Sequence, residues 1–145
     1  YTPAVTLFYA LEEALQMIKE EGLQTRYNRH KVCARALYAG LEALGFRIFP
    51  SAEFRSQTVV AANYTPNIDD KKFRDLLREQ YHVVVAGGMG KLKGTMFRVG
   101  VMGTVSRFEI LTTVGAIEST LVDLGHKFEY GVGSRATRDI FAKES

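Results

Sequence analysis

The chain has 145 residues, 46% hydrophobic and 24% charged, a composition that excludes a wholly disordered or fibrous protein and fits one folded core. Its 19 basic and 16 acidic residues are interspersed, so the formal net charge of +3 forms no dense basic stripe for nucleic acid. The single cysteine precludes an internal disulfide, and no apolar run reaches the roughly 20 residues of a membrane span, which favours a cytoplasmic protein without nucleic-acid or membrane partners.

Two amphipathic helices open the chain. Apolar residues recur every three or four positions over residues 3–21 and again over residues 23–44, with charged residues between them. Gly22 and Gly45 stand where these patterns stop, and glycine commonly ends a helix. Thr2 has the position of a cap for the first helix. We therefore predict two consecutive helices.

The middle of the chain combines short strands with one helix. Runs of alternating, β-branched or apolar residues predict strands at residues 46–49, 58–62, 82–85 and 96–101. Between the second and third of these, the spacing of apolar residues predicts a helix over residues 71–80. The strands are short enough to form only a small sheet.

A glycine-rich segment separates the last two predicted strands. Residues 86–94 contain four glycines and two lysines, a composition that predicts a loop without regular structure. Its backbone N–H groups could cradle a phosphate, but the segment lacks the spacing of a phosphate-binding motif. A flexible gate beside a site is the interpretation we favour.

The last third of the chain begins with a helix signal. Ser106 and Glu109 have the spacing of a capping box, followed by apolar residues at helical spacing as far as Gly125. The tail, residues 129–145, has a weak helical pattern around Phe141. The order of elements predicts an α+β fold, a small, mostly antiparallel sheet with helices packed on one face.

Arg98 is the main candidate for a binding residue. It interrupts an otherwise apolar strand directly after the glycine-rich segment. A guanidinium offers a rigid fork of donors that matches a carboxylate, although strand alternation alone also allows a side chain that simply faces solvent. His30 and Cys33 fall in apolar surroundings on the second helix, where core packing is the simpler interpretation, and no metal-binding spacing is present.

Two motifs resemble those of a known family. The sequence YTPAV at residues 1–5 precedes a helix, and FRVGVMG at residues 97–103 follows the glycines of residues 87–90. In this order they are similar to class V aminotransferases that use pyridoxal 5'-phosphate, closest to the alanine–glyoxylate and serine–pyruvate branch. The resemblance covers nearly the whole chain and implies the small C-terminal domain of a fold-type I enzyme.

The resemblance implies roles for two residues. Arg98 matches the family's arginine that binds the α-carboxylate of the amino acid or 2-oxo acid. Thr2 matches a threonine that contacts the cofactor phosphate in the neighbouring subunit of a homodimer. The implied division is a helix leading from the large domain at residues 1–22, the small domain at residues 23–128 and a tail at residues 129–145.

The resemblance also implies that this chain alone is inactive and does not retain the cofactor. The lysine that bonds to the cofactor lies in the family's large domain, and none of the chain's lysines matches its motif. The whole enzyme would transfer an amino group between alanine or serine and glyoxylate or pyruvate. Two alternatives stay open: a non-catalytic domain that binds an amino acid through Arg98 and the glycine-rich segment, and an interaction domain that dimerises through its first two helices.

Overall fold

The computed structural model describes residues 2–144, so Tyr1 and Ser145, which lie in the first motif and in the tail, fall outside it. Within that range the helices are α1 (Val5–Glu21), α2 (Leu23–Ala43), α3 (Asp70–Tyr81), α4 (Arg107–Asp123) and α5 (Val132–Lys143). The strands are β1 (Arg47–Ile48), β2 (Val59–Asn63), β3 (Ala86–Gly87) and β4 (Met96–Gly100).

The strands form one sheet in the order β1-β2-β4-β3, and each neighbouring pair is antiparallel. Alternation along β4 turns Phe97 and Val99 towards the helices, where both are buried, and turns Arg98 to the opposite face. Helix α2 contacts β1 and β2, while α4 contacts α2 and α3. The predicted α+β fold with helices on one face of an antiparallel sheet is confirmed.

Aromatic rings join the sheet to the helices. The ring of Phe97 lies 5.1 Å from that of Phe46 and 5.3 Å from that of Phe73 in α3, and Tyr64 lies 5.4 Å from both Phe73 and Phe97. Burying a phenylalanine side chain contributes about 1.5–3 kcal/mol, and such ring pairs add about 0.5–1.5 kcal/mol. This cluster therefore fixes α3 against the strand that carries Arg98.

Helix α1 has the predicted apolar pattern but buries none of its residues. Leu7 and Leu11 are 70% and 53% exposed. Gly22, with a left-handed φ of +81°, separates α1 from α2, which a glycine allows without strain. The predicted cap at Thr2 is wrong, because Ala4 occupies the cap position and no side chain of residues 2–144 caps this helix.

The tail contains a longer helix than its weak pattern indicated. Helix α5 packs on α2 and α4 and buries Thr137 and Phe141. Its first turn is held by Glu118 of α4, which accepts hydrogen bonds from Gly133 N at 3.1 Å and Ser134 Oγ at 2.6 Å. The Glu118 carboxylate thus accepts a hydrogen bond from the Gly133 N–H, a first-turn group that has no acceptor within the helix.

Replacing Glu118 by alanine is expected to lower the free energy of unfolding by about 2–3 kcal/mol, because hydrogen bonds to a buried charged group are lost. Denaturant unfolding of the chain measures the change. Glu129→Ala is the control, since Glu129 is exposed and its carboxylate pairs with Arg135 on the surface. A loss no greater than that of the control would contradict the capping role.

Two sequence predictions in the middle of the chain are wrong. Residues 82–85 do not form a strand: His82 ends α3 in a left-handed conformation, and the strand that pairs with β4 is Ala86–Gly87. The glycine-rich segment is also more regular than predicted, since it contains β3 and a 3₁₀ turn at Gly90–Leu92.

The capping box of Ser106 and Glu109 is confirmed. No helix within residues 2–144 is long and apolar enough to cross a membrane.

Candidate functional site

Arg98 lies in the middle of β4, on the face of the sheet that the helices leave uncovered, and its side chain is half-buried. Its cross-strand neighbours are Ala61 of β2 and Ala86 of β3. Because both neighbours are small, they leave room around the guanidinium. The position therefore combines partial removal from water with access for a small ligand.

One hydrogen bond sets the direction of the Arg98 side chain. Its Nε donates to the carbonyl oxygen of Gly87 at 3.1 Å. Neither Nη atom has a protein partner within residues 2–144, and neither is a buried unsatisfied group. The two terminal nitrogens therefore present parallel donors, an arrangement that suits bidentate binding of a carboxylate.

The glycine-rich segment beside Arg98 is folded on itself. Gly88 N donates to Met96 O, Leu92 N to Met89 O and Lys93 N to Gly90 O, each at 3.0–3.2 Å. These three N–H groups are thus already used within the segment and with β4. They are not available to cradle a phosphate.

Two side chains of α3 and that of Tyr64, the residue after β2, form a hydrogen-bonded group. Asp70 accepts from Arg74 Nε at 2.9 Å and Nη2 at 2.7 Å, and from the hydroxyl of Tyr64 at 2.9 Å. The hydrogen bond from Arg74 lowers the pKa of Asp70, while burial raises the pKa of Tyr64. Asp70 therefore stays ionised and Tyr64 stays protonated at neutral pH.

A second group of charges joins α1 to the turn that follows β4. Glu21 accepts from Arg29 Nε at 2.5 Å and Nη2 at 2.8 Å, and from Arg26 at 3.0 Å. Arg29 also donates to the carbonyl oxygens of Val105 and Gly103, the latter at 3.1 Å. The hydrogen bond from Arg29, with a smaller contribution from Arg26, lowers the pKa of Glu21 to about 2.

The stability of the chain is expected to fall in acid through Glu21. A carboxyl group whose pKa is lower in the folded chain stabilises folding above its ordinary pKa of 4.5, and this contribution is lost as the pH falls towards 2. Unfolding of Glu21→Gln against wild type, at pH 7 and at pH 3, measures it. The difference should shrink at pH 3 for Glu21→Gln but not for the neighbouring Glu20→Gln; an equal difference at both pH values would contradict this link.

Thr2 lies away from Arg98 in the chain, at the exposed N-terminal end of α1, and no hydrogen bond joins it to β4 within residues 2–144. Its exposed hydroxyl is a suitable donor to a phosphate oxygen. All of the chain's lysines are exposed, whereas a lysine that bonds to a cofactor must lose its proton in a shielded site. The described residues therefore fit one contact to a cofactor phosphate, and none of the lysines is shielded within residues 2–144.

The remaining candidates belong to the core. His30 is 8% exposed and its Nδ1 lies 2.8 Å from Arg26 O, and Cys33 is 2% exposed with a thiol pKa raised by burial. A cleft of about 640 Å³ lies near Cys33 between α2, the start of α4 and α5, and Arg98 does not line it. No group of three metal-ligating side chains occurs within residues 2–144.

Comparison with known proteins finds similarity to aminotransferases. No family model matches the chain. An aminotransferase of Methanocaldococcus jannaschii is 42% identical over 99% of this chain and 37% of its own length. The crystal structure of ureidoglycine–glyoxylate aminotransferase from Bacillus subtilis superposes with a TM-score of 0.93 at 31% identity, over 98% of this chain and 37% of that one. Over nearly its whole length the chain is similar to the C-terminal part of these aminotransferases, which is consistent with a fragment of a class V enzyme.

The class V match covers only part of each relative. The chain spans about 37% of their length and corresponds to their C-terminal domain. Several relatives are named for transfer between serine or alanine and glyoxylate. Another, 35% identical over 98% of this chain and 37% of its own length, is named the 42 kDa subunit of a soluble hydrogenase from Anabaena cylindrica.

Proposed function

We propose that this chain is the part of a pyridoxal-phosphate-dependent transaminase that binds the substrate carboxylate, and that Arg98 does so. The proposed reaction transfers an amino group between alanine or serine and glyoxylate or pyruvate. The observation that carries the proposal is the geometry of Arg98, whose Nε is fixed by Gly87 O while both Nη atoms stay open on the uncovered face of the sheet.

Arg98 suits both halves of such a transfer. The amino donor and the 2-oxo acceptor have the α-carboxylate in common, so one guanidinium can hold each in turn. Bidentate binding fixes the direction of the carboxylate and thereby the position of the neighbouring α-carbon. The contribution of Arg98 is binding and alignment, because its guanidinium stays protonated and transfers no proton.

Thr2, near the start of the chain, is proposed to contact the phosphate of pyridoxal 5'-phosphate. When bound, this cofactor stores the amino group and withdraws electrons from the substrate α-carbon. The exposed lysines give the isolated chain no means of holding the cofactor covalently. We accordingly expect the chain alone to be inactive and to retain no cofactor.

The proposed partners of the chain are the large domain of the same polypeptide and a second subunit. Helix α1 supports this, because large apolar side chains at Leu7, Phe8, Leu11 and Leu15 are all at least 53% exposed. A cluster of this kind on a soluble domain marks a surface that another part of the protein covers. The proposed division into residues 1–22, 23–128 and 129–145, and a cytoplasmic location, go with this assignment.

The experiment that tests the proposed function uses the complete polypeptide that contains this chain. Its visible spectrum should show bound cofactor, and alanine or serine with glyoxylate or pyruvate should be turned over. The 145-residue chain, prepared in the same way, should show neither property. Absence of bound cofactor in the complete polypeptide would favour an interaction domain that uses the exposed face of α1.

A further inference from the structure

We propose that the backbone N–H of Gly87 is a further donor to the substrate carboxylate, beside the two Nη atoms of Arg98. The proposal rests on the carboxylate-binding role of Arg98 given above and adds a main-chain group to it. The hydrogen-bond pattern of the sheet carries it, because that pattern decides to which side each peptide of β3 turns.

The pairing of β3 with β4 sets the direction of the Gly87 peptide. In an antiparallel ladder, pairs that exchange backbone hydrogen bonds alternate with pairs that do not. Gly88 N donates to Met96 O at 3.0 Å, so this pair is of the bonded kind. The next pair, Gly87 opposite Phe97, is therefore of the kind that exchanges no bonds.

The other side of β4 has the matching alternation. Tyr64 N donates to Thr95 O at 3.0 Å across the ladder of β2 and β4. Two residues further on, Ala62 lies opposite Phe97. Pairs two residues apart are of the same kind, so Phe97 turns its N–H and C=O towards β2 and away from β3. The N–H and C=O of Gly87 correspondingly turn away from β4.

The guanidinium of Arg98 reaches this same edge of the sheet. Strand β3 is the last in the order β1-β2-β4-β3, so the side to which Gly87 turns pairs with no further strand of residues 2–144. The carbonyl oxygen of Gly87 accepts from Arg98 Nε at 3.1 Å, and Gly87 is only partly buried. The Gly87 N–H and both Arg98 Nη atoms therefore lie at one edge, and none of the three is used to pair the strands.

One carboxylate can use all three donors. Its two oxygens offer about four acceptor sites, of which a bidentate pair with Arg98 uses two. One oxygen can then accept from the N–H of Gly87 as well. The amino acid and the 2-oxo acid have the same carboxylate, so the Gly87 N–H serves both halves of the proposed transfer.

The first measurement follows the Gly87 amide by NMR in the complete polypeptide while pyruvate is added. Alanine with ¹³C at its carbonyl and glycine with ¹⁵N select the glycines that directly follow an alanine, which in this chain are Gly40 and Gly87. Gly87→Ala assigns the Gly87 signal by removing it. We expect the Gly87 proton to shift downfield as it bonds to the carboxylate, while Gly40, inside α2, stays in place as the internal control.

The second measurement removes the donor itself. An ester in place of the peptide between Ala86 and Gly87 lacks the N–H and keeps every side chain, and calorimetry should show that it binds pyruvate about tenfold more weakly. The same replacement before Gly90, which is exposed and lies outside the ladder, is the matched control and should leave the affinity near that of wild type.

A Gly87 signal that stays in place while pyruvate binds, or an unchanged affinity in the Gly87 ester, would overturn the role of this N–H. Arg98→Ala separates the two proposals: unchanged pyruvate affinity in that variant would overturn the role of Arg98 and, with it, that of Gly87. A wild-type polypeptide that does not bind pyruvate would overturn both.

Discussion

Replacing Arg98 by alanine in the complete polypeptide is expected to lower kcat/KM for alanine and for glyoxylate by about 100-fold or more. A charge-assisted, bidentate hydrogen bond in a partly desolvated site contributes about 2–5 kcal/mol when one partner is removed. The loss should appear mainly as a higher KM, because Arg98 holds the substrate in the ground state and in the transition state. Steady-state kinetics with each substrate varied in turn measures both parameters.

Two variants serve as controls for this experiment. Arg98→Lys keeps the charge without the fork and should recover only part of the lost kcat/KM. Arg47→Ala removes an exposed arginine from the edge strand β1 of the same sheet and should change kcat/KM little. Equal losses in Arg98→Ala and Arg47→Ala would indicate general damage to the sheet and would remove the assignment of Arg98.

Gly88→Ala is expected to destabilise the chain by about 3 kcal/mol or more, the upper range for overpacking. A Cβ atom at this position would lie 2.0 Å from the carbonyl oxygen and 2.6 Å from the carbonyl carbon of Leu92, both backbone atoms. The 3₁₀ turn therefore has to open, and the bond from Gly88 N to Met96 O is lost with it. Denaturant unfolding of the chain measures the change.

Gly115→Ala is the matched control for Gly88→Ala. Gly115 lies within α4, and the nearest atom to an added Cβ is Ser134 Oγ at 4.0 Å. Alanine there is expected to stabilise the chain by about 0.5–1 kcal/mol, since glycine is unfavourable inside a helix. If Gly88→Ala is as stable as wild type, the tight turn beside β3 is not needed for the fold.

Local patterns in the sequence were sufficient to predict most of the fold. Helical spacing predicted α2, and the capping box of Ser106 and Glu109 marked the start of α4, because both features depend on residues within one or two turns. The apolar run at residues 82–85 was mistaken for a strand for the same reason. It connects α3 to β3, and only the pairing of Ala86 with Arg98 shows where the strand lies.

Features that depend on distant residues could not be predicted in this way. The weak pattern of the tail gave no sign that Glu118 holds the start of α5, a contact 15 residues along the chain. That α1 buries none of its residues is equally invisible in its apolar spacing, which is the same in a covered helix.

The candidate site was predicted only in part. Arg98 stood out as a charged residue in an apolar strand, and the family resemblance gave it a possible ligand. The carbonyl of Gly87 was missed as a partner of Arg98, because a backbone acceptor leaves no motif in the sequence. Whether Thr2 meets a phosphate depends on a second subunit and stays a prediction.

The most direct test of the account compares alanine with ethylamine, which has the same amine but no carboxylate, as amino donors for the complete polypeptide. The ratio of their kcat/KM values reports what the carboxylate contributes. The account predicts a large ratio in wild type that falls about 100-fold in Arg98→Ala, with kcat/KM for ethylamine nearly unchanged. A ratio that Arg98→Ala leaves at its wild-type value would contradict the assignment of Arg98 as the carboxylate-binding residue.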